Sequence, residues 1–268
     1  MLIKYIIFGI LQGFTEPLPI SSSGHIVLVK HFWNNIILSD LNFEIFLNFA
    51  SFIAILLIYW KDVWCILTGF FQYLIKHDTS FYSDFRTGIL IIIGTIPVGL
   101  IGILIKKSLE HILLFYPFVV GIGFLVTGVF LFISSFFKGE KDFSSISYLD
   151  AFVIGIFQAI ALVPGISRSG MTLIGCFARK INRTDSLKYT FLLYLPVSFL
   201  TMILGVKDMI SNTLATNLLF PYIVSMFFAF LFTYISYHFL KNIVEKGNTW
   251  VFSIYLWIIG IISIISLK

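Results

Sequence analysis

One polar stretch interrupts the apolar beginning of the chain at residues 12–25 (QGFTEPLPISSSGH), and a second stretch at 158–170 (QAIALVPGISRSG) answers it. Gly9, Ile10, Gln12, Ile20, Ser21, Ser23 and Gly24 reappear as Gly155, Ile156, Gln158, Ile166, Ser167, Ser169 and Gly170, each 146 positions later. Ser22 falls on Arg168 at that offset. Such a duplication predicts two units of one design, pseudo-repeats over 1–140 and 147–268, within a single domain covering 1–268.

Hydrophobic residues make up 59% of the chain and charged residues only 12%, with a mean hydropathy of +0.99. A soluble domain carries about 25% charged residues, so the solvent of this chain is mostly lipid. A net charge of +5 would suggest nucleic acid in a soluble protein, but here the basic residues sit in short loops between apolar spans. They suit a membrane and no nucleic acid. The N-terminus lacks the small-x-small cleavage site of a secretory signal. Cys65 and Cys176 are isolated and predict neither a disulfide nor a metal site.

The run 2–14 reaches roughly 20 Å at 1.5 Å per residue, short of a hydrocarbon core of about 30 Å. Pro17 and Pro19 stop it, and residues 21–24 cap a new helix toward Phe32. Two half-length helices joined by polar backbone describe a re-entrant hairpin, tolerated at membrane depth only where protein or water satisfies the backbone. Full spans are predicted over 43–60, 88–105 and 116–137, with a polar interfacial loop between the first two. Segments 150–163 and 166–178 repeat the hairpin, and spans over 189–205, 219–240 and 250–267 follow. One hairpin plus three crossings per unit starts the second unit on the opposite face. The expected fold is therefore an all-α polytopic membrane protein with an inverted-topology repeat. On that topology Lys61, Lys76, Arg86, Lys138, Lys141, Arg179, Lys180, Arg183, Lys188, Lys241 and Lys246 share one face. Lys4, Lys30, Lys106, Lys107, Lys207 and Lys268 share the other. Eleven against six makes the first face cytoplasmic.

Glu16, His25 and Arg168 are the ionisable residues placed deep in the fold, and an intramembrane charge is a functional candidate by default. A plain Glu16–Arg168 ion pair locking the hairpins together is the simpler alternative. Ser21, Ser22, Ser23, Ser167 and Ser169 fall at helix N-termini, where free N–H groups and the helix dipole favour an anion, although N-capping alone explains most such serines. Arg168 adds a planar fork suited to phosphate oxygens, and Thr172 a hydroxyl below it. Ser22 offers a nucleophile facing that cation, and His25 lies three residues on, on the same side of the helix. Glu16 can orient a base or hold a divalent cation. Together they suit phosphoryl transfer. Glu44 and Asn48, one turn apart, line or cap the outer end of the first span.

These residues resemble the two motifs of the undecaprenyl-diphosphate phosphatases, the bacterial bacitracin-resistance membrane proteins. Gln12, Glu16, Ser21, Ser22, Gly24 and His25 match the first motif, and residues 164–172 (PGISRSGMT) match the second in full. The resemblance covers essentially the whole chain. It implies hydrolysis of undecaprenyl diphosphate to undecaprenyl phosphate and inorganic phosphate, recycling a lipid carrier for cell-wall polymers. It also implies a divalent cation, Mg2+ or Ca2+, at Glu16 and Gln12, with Ser22 or His25 as nucleophile and base and Arg168 as diphosphate anchor. Ser21, Ser167 and Thr172 would be polar support, and Ser23 and Ser169 further substrate contacts. Many members carry Glu where this chain has Gln12, which removes one negative ligand. The implied partners are a polyprenyl diphosphate and the bacterial inner membrane, with the site opening to the outer or periplasmic side; a homodimer is left open. The other lipid phosphatase superfamily also uses Ser-Gly-His, but its Lys-x6-Arg-Pro element is missing here, and no His follows Arg168 at the required spacing. A secondary transporter or flippase for a phosphate head group is the rival, since broken inverted repeats are also transporter architecture.

Overall fold

The computed structural model describes residues 2–33, 41–210 and 219–267. The side chains of Lys106, Lys107, His111 and Lys207, and the whole of Lys268, lie outside the described residues. Eleven α-helices carry the described chain: α1 (Leu2–Thr15), α2 (Ser22–Trp33), α3 (Leu41–Ile58), α4 (Trp60–Lys76), α5 (Tyr82–Phe115), α6 (Val119–Ser135), α7 (Tyr148–Ile160), α8 (Arg168–Ala178), α9 (Arg183–Ile210), α10 (Leu219–Glu245) and α11 (Trp250–Ser266). Among the described residues the extended pairing amounts to one isolated bridge between Lys141 and Ile181.

Three helical segments are long and apolar enough to cross a bilayer: 79–105, 183–203 and 219–245. Helices α3 and α4 pass together as a fourth, bent by 78° at their junction. Helices α1, α6, α7 and α11 are shorter apolar helices. Many large apolar side chains face outward, Ile103, Leu104, Phe227 and Ile265 among them. In water such a surface would aggregate; in lipid it is solvated. The protein is a multi-pass membrane protein.

The region 61–86, expected as a polar loop, is instead mostly helix. Helix α4 occupies 60–76, a 3₁₀ turn follows at Thr79–Phe81, and α5 begins at Tyr82. Trp60, Trp64, Leu67, Phe71 and Leu74 recur at helical spacing and are exposed, so the charges nearby belong to the other face of an amphipathic helix. The Asp78 carboxyl is held below its usual range by hydrogen bonds from Ser80, first from its backbone N–H.

Both interrupted segments are hairpins. Helix α1 stops before Pro17 and Pro19, and the turn through 16–20 carries the chain into α2. At the base, Trp33 at the end of α2 packs on Phe8 (5.7 Å between ring centroids) and beneath the Lys4 ammonium (5.7 Å). In the second hairpin Pro164 and Gly165 (φ +85°) turn the chain between α7 and α8. Its base is fastened by Asp150, a fully buried carboxylate at the start of α7. Asp150 accepts from Lys141 Nζ (2.7 Å), from Arg179 Nε (2.6 Å) at the end of α8, and from the Ser147 N–H (2.9 Å). Ser147 completes a capping box with Asp150.

Small residues let the hairpins seat against full-length helices. A Cβ on Gly9 would lie 2.3 Å from the Ser225 carbonyl oxygen, and one on Gly13 would lie 2.3 Å from that of Ala229. The spacing of four on both α1 and α10 is the small-xxx-small packing of membrane helices. Gly155 on α7 approaches the Gly94 carbonyl of α5 in the same way (2.5 Å).

Gly13→Leu is expected to push α1 off α10 and to cost about 1–3 kcal/mol, as overpacking does. Thermal unfolding in detergent should show a lowered midpoint for Gly13→Leu and an unchanged one for Ile7→Leu, whose side chain is exposed.

Candidate active site

The two hairpin tips meet. The Ser169 hydroxyl of α8 donates to the Leu18 carbonyl in the first turn (2.9 Å), and Pro19 packs beside Gly170. At the centre of this contact Glu16, at the end of α1, has both carboxylate oxygens engaged. Arg168 Nη2 donates to Oε1 at 2.9 Å. Gln12 Nε2 donates to Oε2 at 3.0 Å, and the Ser22 hydroxyl makes a short hydrogen bond to the same oxygen. The spacing of four between Gln12 and Glu16 places both on one face of the last turn of α1. The Glu16 side chain is 6% exposed and that of Arg168 28%. The pair is withdrawn from solvent, with the guanidinium reaching outward.

Sequence offset placed Ser22 and Arg168 in equivalent slots on converging arms, and the geometry brings both to the two oxygens of one carboxylate. His25 goes elsewhere. Its Nδ1 lies 2.8 Å from the Ser21 carbonyl oxygen and its Nε2 2.6 Å from the Tyr255 hydroxyl on α11. The ring stacks on Tyr255 and meets the edge of Phe124. The expected His25–Ser22 partnership is therefore replaced by Glu16–Ser22. Along α2 a spacing of three is near but not aligned, and the aromatic wall of α6 and α11 draws the imidazole to itself.

The remaining hydroxyls are engaged locally. Ser167 caps α8, accepting from the Gly170 N–H (3.1 Å), while its own N–H donates to Thr127 (3.1 Å). Ser169 bonds Leu18, and Thr172 donates to the Arg168 carbonyl one turn back (2.9 Å). Ser21 has φ 66°, a left-handed conformation that is uncommon for a residue with a Cβ. It packs hydroxyl to hydroxyl with Ser23 (3.4 Å), and Ser23 is exposed.

Three further residues join the site. Asn48 Oδ1 on α3 accepts from Gln12 Nε2 at 2.8 Å, fixing the amide so that its N–H2 group faces two acceptors. Of the Glu44/Asn48 pair, Asn48 thus joins the site although it is exposed, and Glu44 instead pairs with Lys30. Tyr194 on α9 lies under Arg168, its ring 4.6 Å from the guanidinium carbon, a cation–π contact that holds the fork from behind. Tyr255 is the third. Neither tyrosine carries a local sequence signal, although Tyr194 stands 146 positions after Asn48. Two clefts on the described surface lie away from these residues, around Lys138 and 182–185 and around Asp62 and Lys188.

The chain matches the family described as bacitracin resistance protein BacA over residues 5–262. It is 39% identical over 266 residues to undecaprenyl-diphosphatase 2 of Bacillus thuringiensis (strain Al Hakam), covering 99% of this chain and 98% of that protein. It is 38% identical over 265 residues to undecaprenyl-diphosphatase 1 of Bacillus licheniformis, covering 99% and 98%. Undecaprenyl-diphosphatase 1 of Halalkalibacterium halodurans is 35% identical over 262 residues, covering 98% and 95%. With both hairpins inside a match of this length, the chain belongs to the BacA family of bacitracin resistance proteins.

Proposed function

We propose that this protein hydrolyses undecaprenyl diphosphate to undecaprenyl phosphate and inorganic phosphate in the bacterial cell membrane. One observation carries the site assignment: a single carboxylate, Glu16, is shared by a hydroxyl from one hairpin and a guanidinium from the other. Arg168 binds the diphosphate through the N–H groups that Glu16 leaves free. The Ser22 oxygen attacks the terminal phosphorus as its proton passes to Glu16, and the bond to the bridging oxygen breaks. Undecaprenyl phosphate departs on that oxygen. Water then cleaves the phosphoserine, giving inorganic phosphate and returning the Ser22 hydroxyl. Arg168 neutralises charge developing on the phosphoryl oxygens. A carrier would need the cation, but not a nucleophile already bonded to its base.

The donors present fit a divalent cation completed by substrate. Glu16 and Ser22 supply only oxygen, and Gln12 would add its carbonyl oxygen once its amide, whose N–H2 group faces Glu16 and Asn48, turns over; such a set suits Mg2+ or Ca2+. Among the described residues no three His, Cys, Asp or Glu side chains cluster. A cation held by one carboxylate and an amide oxygen relies on phosphate oxygens for the rest of its sphere, as magnesium commonly does. Bound at Glu16 and Gln12, it would supply charge neutralisation on the diphosphate.

The proposed fold is an inverted-topology repeat with units at 1–140 and 147–268. Its support lies in reciprocal packing: α1 packs on α10 and α7 on α5, α3 on α10 and α9 on α5, while α3 packs on α9 and α6 on α11. Gly9 and Gly155, related by the 146 offset, each meet a helix of the other unit. The hairpins also enter from opposite ends. Helix α3 begins beside the first hairpin, where Glu44 pairs with Lys30, and leads into α4, where Asp62 pairs with Lys188 (2.5 Å). Lys188 in turn lies over Phe143, near the base of the second hairpin. Arg86, Lys141, Arg179, Arg183 and Lys188 gather at that base end. By the positive-inside rule that end is cytoplasmic, and the first hairpin opens to the outer or periplasmic side. The catalytic set is complete within one chain, so a homodimer would add no group to it.

Purified protein in detergent should release phosphate from a polyprenyl diphosphate, and Ser22→Ala and Arg168→Ala should each lower kcat/KM by about 10²–10³-fold, as loss of a nucleophile or charge clamp does. Undiminished turnover in Ser22→Ala would remove the serine from the reaction. Gln12→Glu adds a second carboxylate beside Glu16. It should lower the Mg2+ concentration for half-maximal activity about tenfold, in line with the dependence of affinity on ligand charge; an unchanged titration would place the cation elsewhere.

A further inference from the structure

His25 is buried at the tip of the first hairpin, yet neither of its ring nitrogens faces Glu16 or Ser22. A carbonyl oxygen only accepts, so the 2.8 Å contact to Ser21 puts the proton on Nδ1. The Nε2 lone pair then accepts from the Tyr255 hydroxyl at 2.6 Å. Attack on phosphorus or removal of a proton from Ser22 would require that same lone pair. The Ser22 proton already has an acceptor in Glu16.

The atom His25 does hold is informative. Ser21 immediately precedes Ser22 and sits at φ 66°. Its carbonyl also accepts the first bond of α2, from the His25 N–H at a long 3.3 Å. The side-chain bond from Nδ1 is the shorter of the two. It fixes the Ser21 peptide in a conformation that an L residue otherwise leaves. Phe124 closes the other side of the imidazole with an edge contact at 5.1 Å between centroids.

We propose that Tyr255 and His25 form a positioning relay: the Tyr255 hydroxyl orients the imidazole, and the imidazole holds the left-handed Ser21 peptide that aims Ser22 at Glu16 and the substrate phosphorus. His25 thus serves the reaction through the backbone. Tyr255, on α11 and distant in sequence, is a positioning residue for the same step. The relay rests on the reading of Ser22 as the attacking group.

Glycine takes φ > 0 without a Cβ penalty and weakens an N-cap little. Ser21→Gly should therefore relieve the need for the imidazole clamp. With full-length protein in detergent and a polyprenyl diphosphate, His25→Ala should lower kcat about 10²-fold and Tyr255→Phe about tenfold with little change in KM, the scale of a misplaced reactive group. Adding Ser21→Gly to His25→Ala should restore kcat about tenfold, since glycine removes the conformational cost. Phosphate trapped on the enzyme should be acid-stable, as phosphoserine is. No recovery in the double variant, wild-type kcat in Tyr255→Phe, or an acid-labile phosphohistidine would each overturn the relay in an otherwise active protein. A wild type releasing no phosphate would overturn the functional reading, and the relay with it.

Discussion

The ion pair between Glu16 and Arg168 is the interaction on which the rest of this structure depends. Either charge alone at membrane depth costs at least about 2.5–3.5 kcal/mol on insertion scales. Each is tolerable because the other is 2.9 Å away. A buried pair is nonetheless weak evidence for stability, since desolvation offsets much of the attraction. The partners around it argue for more than a lock. Ser22 and Gln12 occupy the second carboxylate oxygen, Asn48 holds Gln12, and Tyr194 backs the guanidinium. The set is polarised: a proton acceptor faces a hydroxyl on one side, and a cation reaches outward on the other.

Packing makes that pair possible. Proline stops α1 and a Pro-Gly turn separates α7 from α8, so each arm ends inside the protein with its polar backbone met by the other arm. The Ser169–Leu18 hydrogen bond and the Ser167 cap satisfy groups that lipid could not. Glycines at 9, 13 and 155 bring these short helices within backbone contact of α10 and α5. At the charged end the buried Asp150, bound by Lys141 and Arg179, holds the second hairpin closed. Free to splay at its base, that hairpin would not keep Arg168 in register with Glu16.

Much of this was legible in the sequence because it is local or repeated. The offset of 146 identified two broken helices, and proline with polar residues marked where each breaks. Equivalence of Ser22 with Arg168 brought a hydroxyl and a cation to one point. The plain capping explanation also held for Ser167, whose hydroxyl meets its own helix, as that of Thr172 does. What escaped depended on partners from distant helices. Nothing near His25 indicates that Tyr255 will take its Nε2, and proximity along α2 suggested Ser22 instead. Asn48 and Tyr194 acquire their roles only when α3 and α9 pack against the hairpins. The charges around Lys61 and Lys76 suggest a polar loop, and only the Trp60–Trp64–Leu67–Phe71 stripe on the other face marks α4 as a helix.

A double-mutant cycle on Glu16 and Arg168 tests the shared site most directly. Steady-state kcat/KM would be measured for wild type, Glu16→Gln, Arg168→Gln and the double variant. If both side chains serve one substrate through one hydrogen-bonded unit, each single change should cost about 10³-fold and the double little more, a coupling of about 4 kcal/mol. Losses that simply multiply, to about 10⁶-fold, would mean that the two residues act independently and would contradict a single site built where the hairpins meet.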